Sequence, residues 1–317
     1  MTLRFTVLAS GSGGNASLVE AAGFGVLLDL GLGPRQIASR LASTGRDWSS
    51  IHAALLTHTH SDHWKDTTLA QLCRRHIPLY CHPDHHRVLR LYAPAFDELL
   101  AAGLVRTYEA DRAFDLAPGL RCRPLPVRHD GGATFGFRLE GGQDLFGAAV
   151  ALGYVADLGC WDETLADALA DVDLLALEFN HDVTLESSSG RSPMLIARVL
   201  GDYGHLSNGQ ASDLLRAVLT RSAAGRLRHL VQLHLSRDCN IPTLAQAAAA
   251  RVLREQAPAV TIHTAHQDRA TVPLPLGQAA TPTPPRRASR PLPRVRTSFQ
   301  KWLPGLEDLD PAGGSTR

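Results

Sequence analysis

The sequence predicts an α/β fold built in layers, and three observations carry that reading. Short apolar, β-prone runs alternate with helical patterns along both halves of the chain. Residues suited to metal or proton chemistry (Asp29, His129, Asp157 and His234) each stand at the end of such a run. Finally, Thr57-His58-Thr59-His60-Ser61-Asp62-His63 follows the apolar segment Ala53-Ala54-Leu55-Leu56 directly. Strand ends at one edge of an α/β sheet are where ligands gather.

The elements follow in order. Arg4 to Ala9 is a strand and Ser10-Gly11-Ser12-Gly13-Gly14-Asn15 a tight loop. Gly25 to Leu30 is a second strand, and Arg35 to Leu41 a short amphipathic helix. The strand before His58 leads to a helix from Lys65 to His76 and a strand from Ile77 to Cys81. In His82-Pro83-Asp84-His85-His86, Pro83 fits the first turn of a helix reaching Tyr92, so this cluster is a helix start rather than a ligand group. Strands follow at Leu120 to Val127, Ala133 to Leu139 and Val150 to Ala156, then a helix at Leu165 to Ala170 and a strand at Leu174 to Glu178. A polar insertion, His181 to Pro193, precedes helices at Met194 to Leu200 and Gln210 to Thr220. The last elements are a strand at Leu230 to Leu235, a helix at Thr243 to Gln256 and a strand at Ala259 to Thr264.

Composition bounds the function. With 317 residues, 44% of them hydrophobic, the chain can bury a full core. A formal net charge of +1 means that any polyanion site must be local. The five cysteines are scattered without a Cys-x-x-Cys pair, which points to buried thiols in a reducing cytoplasm. The N-terminus has no secretory pattern, and no apolar stretch of about eighteen residues is present to span a membrane. A catalytic domain is therefore expected over residues 1–275. Residues 276–317, rich in Pro and Arg, read as a disordered basic tail, with Arg286, Arg287, Arg290, Arg294, Arg296 and Lys301 uninterrupted by acid.

The central motif concerns metal chemistry. His58 and His60 alternate, so an extended backbone points both rings one way, while Asp62 and His63 on the following turn face a second point. Neutral imidazole with carboxylate suits zinc, manganese or iron, and a two-metal centre is a hydrolytic device. With Asp29, His129, Asp157 and His234 in the observed order, the chain resembles the metallo-β-lactamase superfamily over roughly residues 1–270. The resemblance implies a four-layer αββα sandwich and two divalent ions. His58, His60 and His129 would hold one ion, Asp62, His63 and His234 the other, with Asp157 between them and Asp29 in support.

Four further segments narrow the resemblance to the YycJ/WalJ-type exonucleases. They are Leu8 to Ala16, Glu178 to Asp182, Gly204 to Asn208 and His234 to Asn240. This implies a nuclease acting on DNA with 5′-to-3′ polarity, through a hydroxide activated by the metal pair and oriented by Asp62. His205 is expected to protonate the leaving oxygen or bind phosphate, with Ser207 and Asn208 as added donors. Asn180 and His181 are expected to touch substrate or support the ligands. Thr59, Lys65-Asp66, Ala156 and Phe179 depart from the usual Glu, Gly, Thr and Ser, none removing a ligand. Two competing readings are a thioester or lactone hydrolase of glyoxalase type and a non-catalytic, metal-stabilised nucleic-acid-binding protein.

Overall fold

A computed structural model of the chain describes residues 3–142 and 149–277. The first half runs β1 (Leu3–Ala9), β2 (Ala16–Ala21), β3 (Phe24–Leu28), α1 (Pro34–Ala42), β4 (Ala53–Leu55), α2 (Asp66–Arg74), β5 (Leu79–Cys81), α3 (His85–Tyr92), α4 (Pro94–Ala101) and β6 (Val105–Thr107). Next come β7 (Phe114–Ala117), β8 (Leu120–Val127), β9 (Thr134–Gly141), β10 (Val150–Val155), α5 (Glu163–Ala168), β11 (Leu174–Glu178), α6 (Val183–Ser187) and α7 (Pro193–Leu200). The chain then adds α8 (Asn208–Arg221), β12 (His229–Leu233), α9 (Pro242–Gln256), β13 (Thr261–Thr264) and β14 (Leu274–Leu276).

Two mixed seven-stranded sheets result, ordered β14-β1-β2-β3-β4-β5-β6 and β13-β12-β11-β10-β9-β8-β7. Strict alternation along the strands explains their stacking. In β3, Val26 and Leu28 enter the space between the sheets and Leu27 faces outward; in β11, Leu174 and Ala176 go inward and Leu175 and Leu177 outward. The inner core joins Phe5, Val7, Val19 and Leu55 to Phe137, Leu152, Tyr154 and Val231. Outside the first sheet, Leu18 and Leu27 pack with Ile37 of α1, Leu69 of α2 and Phe96 of α4. Outside the second, Val155 and Leu177 pack with Leu165 of α5, Leu214 of α8 and Val252 of α9. Each such side chain contributes roughly 1.5–3 kcal/mol by leaving water. The layers are therefore helix, sheet, sheet, helix, as expected.

The strand directions position the site. Strands β3 to β6 pair in parallel, as do β10 to β13. β8 is antiparallel to β9, and β9 to β10, so β8 runs with β10. The carboxyl ends of β3, β4, β8, β10, β11 and β12 carry Asp29, His58, His129, Asp157, Glu178 and His234.

Several elements were not anticipated. β2 begins on the small residues Ala16 and Ser17, and α4 follows directly on α3 through Pro94. α6 sits inside the expected polar insertion, its first turn capped by Asp182. β14 is three residues long with Pro275 at its centre, tolerable because it is an edge strand beside β1. It ends at Leu276, one residue past the expected domain limit; the predicted basic tail from residue 278 onward lies outside the described residues. α3 starts at His85 rather than Pro83. All five cysteines are free, and among the described residues no helix is long and apolar enough to cross a membrane.

His85 shows how the histidine cluster serves the fold. Its Nε2 lies 2.7 Å from the Ala133 carbonyl, and its ring meets Tyr108 and Phe135 edge-on. Burial pulls its pKa down to about 4. An unfolded histidine takes up a proton near 6.5 while the folded one stays neutral, so stability is lost as pH falls from 6.5 towards 4. We expect denaturant titrations of His85→Gln to show this acid loss reduced by about 3 kcal/mol relative to wild type. Equal pH slopes would show that His85 binds its proton as readily folded as unfolded.

Candidate metal centre

The strand ends bring the predicted ligands together. The donor atoms of His58, His60 and His129 lie within 4.8 Å of one another, as do those of Asp62, His63 and His234. Asp157 joins a third set with His58 and His63, one histidine from each of the first two. The first sheet supplies His58, His60, Asp62 and His63 from the segment after β4, and the second supplies His129, Asp157 and His234.

The surrounding hydrogen bonds orient the rings. His63 Nδ1 donates to Asp29 Oδ2 at 2.8 Å, which leaves Nε2 as the donor atom turned towards Asp157 Oδ2, 2.9 Å away. Asp29 Oδ1 in turn accepts from Thr57 N and Oγ1, both at 2.9 Å. His129 Nδ1 donates to the Gly204 carbonyl at 2.8 Å, again directing Nε2 inward, 3.2 Å from His60 Nδ1. A carboxylate or carbonyl behind a ligating imidazole fixes its tautomer and strengthens it as a ligand.

Charge is concentrated here. Burial, and then the neighbouring His63, hold the His58 imidazole well below its ordinary pKa and therefore neutral. Burial opposes a proton on His63 and His234, yet the carboxylates around them outweigh it: Asp29 and Asp157 for His63, Asp157, Asp62 and Glu178 for His234. Burial would likewise raise Asp157, but His234 and His63 hold its carboxyl well below the usual range. The Nε2 atoms of His58 and His234 are buried without a hydrogen-bond partner. Orphaned imidazole nitrogens beside a buried carboxylate cost about 1–3 kcal/mol each unless a cation meets them. The donor set thus fits divalent metal.

A cavity of about 530 Å³ opens onto this cluster; His60, Asp62, Asp157, Asn180, His205 and His234 line it, and so do Arg191 and Arg198. His205 Nδ1 donates to Glu178 Oε1 at 2.7 Å and lies 3.4 Å from Asp157 Oδ1. Burial opposes a proton on His205, and Glu178 raises it above the ordinary value. Asn180 Nδ2 donates to the His234 carbonyl at 2.9 Å. The other expected substrate contacts lie elsewhere. Ser207 Oγ accepts from Gln210 N as the cap of α8, the Asn208 side chain pairs with Asn240, and His181 is fully buried; none lines the cavity.

Three participants escaped sequence reading. Glu178 ends β11 as Asp157 follows β10, and it touches both His205 and His234; its place after Leu174–Leu177 was the available signal. Asn15, closing the glycine-rich loop, donates to Asp62 Oδ2 at 3.3 Å. Gly131 leaves no room for a side chain, since a Cβ there would stand 2.3 Å from His58 Cδ2. No sequence signal marks it.

Asp29→Asn should weaken metal binding about 10–100-fold in competition titrations against a chelator, because its amide no longer holds His63 Nδ1–H as a carboxylate does. Affinity equal to wild type would remove Asp29 from its supporting role.

Similarity to known proteins agrees with this geometry. A family model described as the Beta-lactamase superfamily domain matches residues 25–227, more than half of the chain. Exodeoxyribonuclease WalJ of Streptococcus pneumoniae serotype 2 is 27% identical over 249 residues, covering 76% of this chain and 85% of that protein. Exodeoxyribonuclease YycJ of Bacillus anthracis is 26% identical over 265 residues, covering 81% and 91%. The metallo-β-lactamase-fold protein YhfI of Bacillus subtilis superposes with a TM-score of 0.60 at 14% identity, covering 86% of this chain and 99% of that one. The chain accordingly belongs to the β-lactamase superfamily, as a hydrolase of the metallo-β-lactamase fold.

Proposed function

We propose that this hydrolase is a metal-dependent phosphodiesterase acting on nucleic acid, an exonuclease on DNA. The observation that carries the reading is the lining of the 530 Å³ cavity, which puts Arg191 and Arg198 in one space with His205 and the candidate ligands. Guanidinium groups match phosphate oxygens geometrically and stay charged. The choice of DNA leans on the two relatives named exodeoxyribonucleases.

His58, His60 and His129 would hold one divalent ion and Asp62, His63 and His234 a second, with Asp157 reaching both sets. Such ions supply Lewis acidity and a water acidified towards neutrality. The protein's own groups do the rest. Asp62, only partly buried at the cavity wall, orients the attacking water. Arg191 is held by Glu186 and Asp238 at 3.1 and 2.9 Å, and Arg198 by Asp130 at 3.0 Å, so both guanidiniums are in place before a phosphate arrives. His205, aimed by Glu178, is the proton donor for the leaving sugar oxygen. Asn180 keeps His234 in place through its carbonyl.

The test is a substrate panel with protein loaded with Mn²⁺ or Zn²⁺: DNA labelled at either end, RNA, bis-p-nitrophenyl phosphate and S-lactoylglutathione. Shortening of DNA from one end is expected, with 5′-to-3′ polarity, and chelation should abolish it. Cleavage of the thioester alone would defeat the reading. With metal content unchanged, His205→Ala should lower kcat on DNA by about 10²–10⁴-fold. An unaltered kcat would remove His205 from proton transfer.

A further inference from the structure

A second, larger cavity of about 710 Å³ adjoins the first, with Ser10, Ser236, Arg237, Ile241, His266 and Arg269 in its lining. Ser236 lines both cavities. The loop after β1 forms the other side of the junction, Ser12 facing the metal cavity and Ser10 the second one. That loop is firmly held. Gln267 Oε1 accepts from Gly13 N at 2.7 Å and its Nε2 donates to Gly14 O at 2.8 Å, while Ser10 Oγ accepts from His234 N at 2.8 Å. The junction is thus tied to a candidate ligand.

Basic groups continue through it. Beyond Arg191 and Arg198, the second cavity offers Arg237 and Arg269. Arg237 pairs with Asp268 at 3.2 Å, but both side chains are exposed, and such a pair is worth about 0–1 kcal/mol. Arg269 reaches His266 Nε2 at 2.7 Å and carries no ion pair among the described residues. Each cavity falls in the range of about 300–1,000 Å³ that takes one small ligand.

We propose that the second cavity binds the sugar–phosphate backbone of the strand beyond the nucleotide at the metal centre, with Arg237 and Arg269 on its phosphates. Ile241, 50% exposed, offers an apolar surface to a base. The inference rests on the phosphodiesterase reading and adds where the rest of the substrate lies.

The test compares the metal-loaded full-length protein with its Arg237→Ala/Arg269→Ala variant on single-stranded DNA of about ten nucleotides. Bis-p-nitrophenyl phosphate, which reaches only the metal cavity, is the reference. Relative to that reference, the variant's kcat/KM on DNA should fall about tenfold, carried by KM, and the salt dependence of DNA binding should flatten by about two counterions. Arg237→Lys/Arg269→Lys should recover most of the loss. An unchanged KM and salt slope would overturn the second cavity alone, as would a parallel loss on both substrates. Wild-type protein that cleaves thioester and no phosphodiester would sink the phosphodiesterase reading first and this one with it.

Discussion

The carboxylate of Asp157 is buried at the seam of the two sheets, and a buried carboxylate persists only where cationic or donor groups surround it. His63 from the first sheet and His234 from the second approach it at 2.9 and 3.0 Å. These contacts join the two halves of the molecule at their polar edge, as the apolar core joins them in the middle. They also make the edge reactive. A negative charge walled by imidazoles is a donor set that suits a divalent cation.

The protein holds this arrangement against local preference. Asp29 and His234 both adopt left-handed backbone conformations, with φ of 63° and 52°. For residues with a Cβ that costs roughly 1–2 kcal/mol each. Hydrogen bonds retain them: Asp29 N donates to Leu55 O at 2.8 Å, and the backbone of His234 is gripped by Ser10 and Asn180. Strain of this kind keeps side chains aimed before any ligand arrives.

Much of the frame was legible because period and burial agree. Leu120–Val127 and Leu174–Glu178 are strands to the residue as read: the second is an apolar run, and the first alternates buried Leu120, Cys122 and Pro124 with exposed Arg121 and half-buried Arg123. β14 was not legible: three residues with a central proline carry no periodic signal, and only pairing with β1 makes them a strand. β2 and α4 were missed where small residues or an abutting helix blurred the pattern. At the site, histidine spacing exposed the candidate ligands of the His58–His63 motif, whereas Gly131 acts through close approach to His58 and Asn15 through hydrogen bonds with Gly11, Asp62 and His63. Such roles have no pattern along the chain.

The sequence by itself determined the layered class, the candidate ligands and the hydrolytic character, because strand ends and His/Asp spacing are local properties of a chain. Tertiary structure decided which residues share a cavity. It set Glu178 behind His205 and His234, turned Ser207 and Asn208 to capping and packing, and placed Arg191 and Arg198 in one cavity with the candidate ligands. The physical reason is distance in the chain. Glu178 and His205 are 27 residues apart and meet because the segment after β11 pairs with the entry to α8, Asn180 N donating to Leu206 O and Asn208 N to His181 O.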